Sequence, residues 1–350
     1  MIFLTGVVLG LHVICVSLAS VGPLLAAWCD VGRGRTTPAA PVAGRFIASV
    51  ALWELVIGSL LGLLLGYLAW SDSFRVALKL LRRKLEWGGV EWLFSLALLI
   101  VVAVWWRKQA APGTVGRWIR ALLGVLAGTN LLYHFTFLFF ILEQVERYPV
   151  ADSIDPAAFR EYMVQGRTLA HVAHFTLAAI VLCGTAWIYA AWRYRDEASS
   201  GAEGTIAKHL ATWGGRVAVV PAVLQLPVGF WLVFEIPKRE QQAMMGHDMI
   251  VTVAFMLAVV LSLWMMHLLA SSALGKASPK RWRITVIVVL AVVLLMSFVG
   301  ESLQRRESAD QVVTRIAFGP ATEMPPVILD VGQSDQKARF RFNVLDLRTS

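Results

Sequence analysis

Eight long apolar runs, separated by shorter polar segments, dominate the pattern of the chain. A helix needs about 20 predominantly apolar residues to cross the roughly 30 Å hydrocarbon core of a bilayer. Each run is close to that length, so the pattern predicts an all-α membrane protein with eight transmembrane helices. The runs cover residues 2–28, 46–70, 90–106, 118–142, 168–192, 214–236, 249–270 and 284–300.

The last four runs repeat features of the first four in the same order. His12–Ala19 reads HVICVSLA, His171–Ala178 reads HVAHFTLA, and sixteen residues after each leading histidine stands a tryptophan. Apolar helices are built from few residue types, so chance matches between them are frequent. Polar residues match as well, which favours a true duplication. We therefore expect two tandem four-helix bundles, residues 1–143 and 168–300. Other matching positions are Trp28 and Trp187, Gly44-Arg45 and Gly215-Arg216, Glu54 and Gln225, Gly58 and Gly229, and Arg117-Trp118 and Arg281-Trp282.

Polar segments lie between the bundles and after them. Residues 144–167 are acidic and are predicted to form an outward loop. Residues 301–350 are polar, and 338–345 alternate with the period of a β-strand. We expect a small extracytoplasmic tail with some β structure. A partly disordered terminus is the alternative.

Composition and charge agree with a membrane location. The chain is 57% hydrophobic, with a mean hydropathy of +0.65. Its net charge of +9 does not indicate a nucleic-acid partner, because anionic lipid and the bias of cytoplasmic loops toward Lys and Arg account for basic loops. The three cysteines form no C-x-x-C-H motif, so covalently attached haem is not predicted.

Loop charge also predicts the orientation of the chain. Residues 107–120 and 271–283 each contain four Lys or Arg and no acidic residue. Cytoplasmic loops are enriched in these residues. We therefore place both segments, together with 29–46 and 193–216, on the cytoplasmic side, with both termini outside. The expected location is the cytoplasmic (inner) membrane.

One basic segment disagrees with this orientation. Residues 71–88 carry five Lys or Arg on the predicted outer side. Phe74, Leu78, Leu81 and Leu85 recur at helical spacing, with the basic residues on the opposite face. This pattern is typical of an amphipathic helix that lies in the membrane interface against lipid phosphates.

Histidines are the first candidates for chemistry. An ionisable ring in an apolar run is costly and indicates function, and His12 and His171 match by the repeat. Together with His134 and His174, they map to the outer half of the predicted membrane. We predict that His12, His171 and His174 are metal ligands and that His134 contacts the same cofactor. The alternative is a hydrogen bond to a neighbouring helix, above all for His134, which follows the polar residues Thr129 and Asn130.

Haem b, in one or two copies, is the predicted cofactor. Neutral imidazole is a good axial ligand and methionine is a workable partner, and small residues near the histidines allow a flat ring to approach. Met249 is the candidate methionine. A copper site at His247 and its neighbouring methionines is the alternative, since imidazole and thioether suit copper. A chain without cofactor is also left open.

Acidic residues inside or beside the apolar runs are the second candidates. Glu54 lies in the middle of the second run, where an unpaired charge is expensive. Glu91 stands near the start of the third run. We predict that both take part in proton transfer. An acid at a helix N-terminus is also favoured by the helix dipole, which is the alternative for Glu91 and Asp248.

These residues resemble subunit I of the cytochrome bd quinol oxidases. The resemblance implies that His12 is the helix-one haem ligand, His171 or His174 the helix-five ligand, and Glu91 the helix-three acid. Met249, or Met245, corresponds to the helix-seven methionine. The family's Gly-Arg-Gln-Pro-Trp signature is absent, and only residues 237–248 separate helices six and seven. The resemblance therefore points to a related haem-carrying subunit.

Three functions follow from this sequence. The first is a haem-binding electron-transfer subunit, part of an oxidoreductase, with other membrane subunits and either quinol or an extracytoplasmic cytochrome as partners. The second is a copper or small-solute transporter that uses His, Met and Glu, because tandem repeats also occur in transporters. The third is a structural membrane subunit whose histidines only join helices.

Overall fold

A computed structural model describes residues 2–32, 36–108, 113–147, 154–194 and 202–318. These residues form helices and their connections, with no strand among them. The strand predicted at 338–345 lies outside the described residues. The α-helices are α1 (Ile2–Val31), α2 (Ala39–Leu68), α3 (Asp72–Leu80), α4 (Arg82–Arg107), α5 (Thr114–Asn130), α6 (Thr136–Arg147), α7 (Pro156–Met163), α8 (Gly166–Tyr194), α9 (Ala202–Glu235), α10 (Lys238–Gln242), α11 (Met249–Ala273) and α12 (Pro279–Phe318).

Eight helical segments within the described ranges are long and apolar enough to cross a membrane, which confirms the predicted number. Seven are α1, α2, α4, α8, α9, α11 and the first part of α12. The other is a continuous helix over Thr114–Arg147, in which a π-helical turn at Leu131–Phe135 joins α5 to α6. The protein is therefore a multi-pass membrane protein.

The amphipathic helix predicted within 71–88 is present, but its apolar face is covered by protein. The Ser71 hydroxyl accepts a hydrogen bond from the Phe74 N–H at 3.1 Å and caps α3. Phe74, Leu78, Leu81 and Leu85 pack in a cluster with residues of α6 and with Phe159 of α7. Because α6 and α7 occupy this face, it packs against protein, and the contact of the basic face with lipid phosphates stays a prediction.

The first helix is central to the packing. α1 contacts α2, α5 and α8, and its N-terminal half lies against α12. Glycines permit these close approaches: a Cβ on Gly124 or Gly128 of α5 would lie 2.8 or 2.7 Å from a carbonyl oxygen of α1, and a Cβ on Gly6 would lie 3.1 Å from the Cα of Phe298. Small residues at such crossings are typical of membrane helices, where close contact replaces hydrophobic driving force.

The largest buried cluster joins helices from both predicted bundles. It includes Leu18 and Ile47 from the first and Leu182, Trp187 and Leu269 from the second. Residues 1–303 accordingly form one compact unit, and residues 304–350 belong to a second. The predicted acidic loop begins with the last turn of α6 and contains α7. Beyond residue 300, α12 continues to Phe318.

Candidate functional site

His12 is held between α1 and α2 by a single backbone carbonyl. Its Nδ1 lies 2.8 Å from the carbonyl oxygen of Gly58. A carbonyl can only accept, so Nδ1 carries the proton, and in the neutral ring the lone pair lies on Nε2. A Cβ on Gly62 would lie 2.9 Å from the His12 ring, so the absence of a side chain there leaves room for the imidazole.

The acid predicted in the second helix lies beside the same stretch of α1. Glu54 is half-buried, and its carboxyl group lies close enough to the Cys15 thiol to interact with it. A Cβ on Gly58 would stand 3.0 Å from the Cβ of Cys15, which shows how tightly the helices approach here. His12, Cys15 and Glu54 therefore share one polar seam between α1 and α2.

A corresponding seam between α8 and α9 is formed by residues at the matching positions of the repeat. His174 occupies the position of Cys15, and Gln225 that of Glu54. The Gln225 side-chain amide donates to the His174 carbonyl oxygen at 3.4 Å. The Nδ1 of His174 is buried, and no described residue forms a hydrogen bond with it. This seam keeps the polar pairing of the first but lacks its carboxylate.

His171 lies on another side of α8, facing α6. Its Nδ1 is 2.8 Å from the Arg167 carbonyl oxygen, one turn earlier in the helix. His209 makes the same local contact at 2.8 Å, so this bond alone does not identify His171 as a metal ligand. The surroundings of His171 do differ, because its ring is 4.9 Å from that of Phe140 and interacts electrostatically with Glu143.

The remaining predicted residues do not join these seams. His134 is exposed in the π-helical turn, with its ring 5.2 Å from that of Tyr133. Met249 is 72% exposed. Glu91 is half-buried, and its carbonyl accepts a hydrogen bond from Asn130 at 3.1 Å. The described residues contain no group of three or more His, Cys, Asp or Glu that could hold a metal ion.

Asp248 has a structural role. It precedes α11, and its carboxylate accepts hydrogen bonds from the N–H groups of Ile250 at 3.0 Å and Val251 at 3.3 Å. These bonds satisfy N–H groups that have no partner within the helix. The cap agrees with the helix-dipole alternative given above.

A buried ion pair was missed by sequence reasoning. Asp30 of α1 accepts two hydrogen bonds from the guanidinium of Arg120 on α5, at 2.9 and 2.5 Å. The side chains are 1% and 5% exposed. The guanidinium also lies 3.5 Å from the ring centroid of Trp106. Arg120 was counted only as a loop charge, and no local pattern links it to a residue ninety positions earlier.

A second network lies beside His171. Arg147 at the end of α6 pairs with Glu143 at 2.8 Å and with Glu240 of α10 at 2.5 Å, and all three side chains are largely buried. Gln144 donates to the Thr168 hydroxyl of α8 at 2.6 Å. The i,i+4 spacing of Glu143 and Arg147 was the available sequence signal for the first pair. These contacts fix α6 against α8 next to the His171 ring.

Comparison with protein-family models and with curated protein sequences finds no match to this chain.

Proposed function

We propose that this protein is a b-type haem-binding membrane subunit of a respiratory electron-transfer complex, similar to cytochrome bd subunit I. The observation that carries the proposal is the His12 geometry. The Gly58 carbonyl holds Nδ1, so Nε2 is oriented and available, which is the usual arrangement around a metal-bound histidine. In this proposal the chain lies in the cytoplasmic membrane with both termini outside.

The residues present fit a haem at both ligand positions. His12 supplies a neutral imidazole with a fixed ring. The buried Nδ1 of His174, which has no hydrogen-bond partner among the described residues, and the ring of His171, which is tilted against that of Phe140, are the two candidates for the second ligand position. Haem, when bound, supplies one-electron transfer, and the protein tunes it through ligand identity and neighbouring hydrogen bonds. Met249 is retained as the contact that the resemblance implies, and His134 as the cofactor contact predicted from its position in the fourth apolar run.

Tandem duplication into two four-helix bundles is part of the proposal. The supporting contacts are Arg45 with the Trp106 carbonyl and Arg216 with the Ala273 carbonyl, which are equivalent in the two halves. The matching tryptophans Trp28 and Trp187 also meet, with ring centroids 5.8 Å apart. A duplicated fold would give two related seams, of which only the first contains an acid.

Glu54 is proposed to carry a proton during electron transfer. It lies within an apolar helix beside Cys15, where a carboxylate that gains and releases a proton is favoured over a permanent charge. Glu91 is proposed as the second proton-transfer group, on the basis of the resemblance. Quinol or an extracytoplasmic cytochrome is the proposed electron partner, together with other membrane subunits.

The absorbance spectrum of the purified protein tests the proposal. We expect a Soret band that shifts on reduction with dithionite, with one or two haems per chain. Colourless protein, purified from cells supplied with a haem precursor, would overturn it.

Copper transport is the second candidate. The observation in its favour is the exposure of Met245, His247 and Met249 just before and at the start of α11. Thioether and imidazole ligands select Cu(I). Colourless protein that binds Cu(I), and loses it when both methionines are replaced by leucine, would support this function in place of the first. Protein that binds neither group would favour a structural subunit.

A further inference from the structure

A cavity of about 330 Å³ lies between α9, α11 and α12, at the ends of these helices that adjoin the basic segment 271–283. It is remote in sequence from both histidine seams. Among the described residues, its side-chain polar groups are three hydroxyls, the Trp282 indole N–H and one ammonium group, and no acidic residue lines it. The lining includes Lys208, Thr212, Ser272, Ser278 and Trp282.

Ser272 is the unusual member of this lining. It is 1% exposed, and its hydroxyl has no hydrogen-bond partner among the described residues. Elsewhere on α11, Ser262 donates to the Ala258 carbonyl at 2.8 Å, and Ser271 accepts from Arg281 at 3.3 Å. A buried hydroxyl without a partner is costly. The Ser272 hydroxyl therefore indicates a ligand group that the protein itself does not supply.

The start of α12 adds donors at the same place. Pro279 opens a helix of 40 residues, and the first N–H groups of a helix have no partner within it and attract anions. Lys208 lines the cavity. The segment 271–283, which also contributes to the lining, contains Lys276, Lys280, Arg281 and Arg283 and no acidic residue. The carbonyl of Ser272 is already occupied by the Gly275 N–H at 2.9 Å. Donors and positive charge therefore dominate the opening.

We propose that this cavity binds a phosphate group, carried by an anionic lipid headgroup or by a soluble phosphate ester. Tetrahedral oxyanions match a set of hydroxyl, N–H and ammonium donors. Ala207, Ala211 and Trp282 provide an apolar wall for the carbon atoms attached to the phosphate. The inference does not depend on the haem proposal, because no residue of either seam is involved.

Thermal unfolding of the full-length protein in neutral detergent tests the inference, with two separate probes. One arm compares inorganic phosphate with chloride at equal ionic strength. The other compares added phosphatidylglycerol with phosphatidylcholine. Stabilisation in both arms indicates a site open to soluble phosphate, and stabilisation by phosphatidylglycerol alone indicates a lipid site. Absence of stabilisation in both arms would overturn the proposal.

Two variants separate a built site from general basicity. Ser272→Ala is expected to weaken the affinity for the active probe about tenfold, while unfolding without probe occurs at the same or a higher temperature. Ser262→Ala, on the same helix but away from the cavity, is expected to keep the affinity. Lys208→Gln is also expected to weaken binding of the active probe. This variant tests the site if Ser272→Ala does not fold. Unchanged affinity in both Ser272→Ala and Lys208→Gln would contradict the site.

Discussion

Arg45 and Arg216 make the same contact in the two halves of the chain. The Nε of Arg45 donates to the carbonyl oxygen of Trp106 at 3.3 Å, and the Nε of Arg216 donates to that of Ala273 at 3.2 Å. Trp106 and Ala273 lie at the ends of α4 and α11, the third spans of the two halves. Each arginine thus satisfies a carbonyl that the helix itself leaves without a partner.

The glycine before each arginine is expected to be required for this contact. A Cβ on Gly44 would overlap the Trp106 ring, and a Cβ on Gly215 would overlap the backbone of Ala273. Gly44→Ala and Gly215→Ala should each lower the free energy of unfolding by about 1–3 kcal/mol, because neither neighbour can move freely. Gly229→Ala is the control, since its Cβ would meet nothing within 4 Å. Unfolding in detergent, followed by circular dichroism, measures the differences, and a Gly229→Ala loss as large as the others would contradict the explanation.

The Asp30 and Arg120 pair is expected to be the most sensitive charge pair in the helices. Arg120→Ala would leave a carboxylate buried without its partner, which costs about 3–5 kcal/mol. The double variant Asp30→Asn with Arg120→Gln should lose less, because no buried charge is left unpaired. The same unfolding assay checks both variants.

An exposed pair provides the control for that prediction. Arg82 and Glu86 are 2.8 Å apart on the surface of α4, where water screens the interaction. Arg82→Ala is expected to leave the unfolding temperature unchanged. If Arg120→Ala were equally harmless, the Asp30 and Arg120 pair would contribute nothing to stability.

Glu54→Gln tests the proposed proton role. The amide keeps the size of the side chain but cannot release a proton. The variant should fold and bind haem like the parent. A one-electron potential coupled to one proton changes by about 59 mV per pH unit, and we expect this slope to fall toward zero in the variant. Redox titration at several pH values measures it. An unchanged slope would contradict the proton role and leave Glu54 with only a packing role beside Cys15.

Much of the fold was accessible from the sequence because membrane helices are set by local composition. A run of about 20 apolar residues can cross a bilayer as a helix because all its backbone hydrogen bonds are then made within the segment. The eight segments long enough to span are therefore helical, as predicted. The helix within 71–88 was predicted from its period, but the period does not say what covers its apolar face. Phe159, which packs there, lies far along the chain.

The site was less accessible, because an apolar run hides which face of a helix is buried. The repeat marked His12 as a candidate but did not predict its contact with Gly58, and the sequence did not show that His134 and Met249 are exposed. Hydrophobic period carries little information when both lipid and protein neighbours are apolar. The buried location of Arg120 depends on Asp30 and Trp106, which only the tertiary structure brings together.

The most direct test of the account is the haem content of His12→Ala compared with that of His209→Ala. His209 makes the same kind of Nδ1 bond to a backbone carbonyl, but it belongs to neither seam. Haem per chain is measured by the pyridine haemochrome assay on purified, membrane-inserted protein. We predict that His12→Ala loses at least one haem component and that His209→Ala keeps them all. Full haem content in His12→Ala, or no haem in the parent protein, would contradict it.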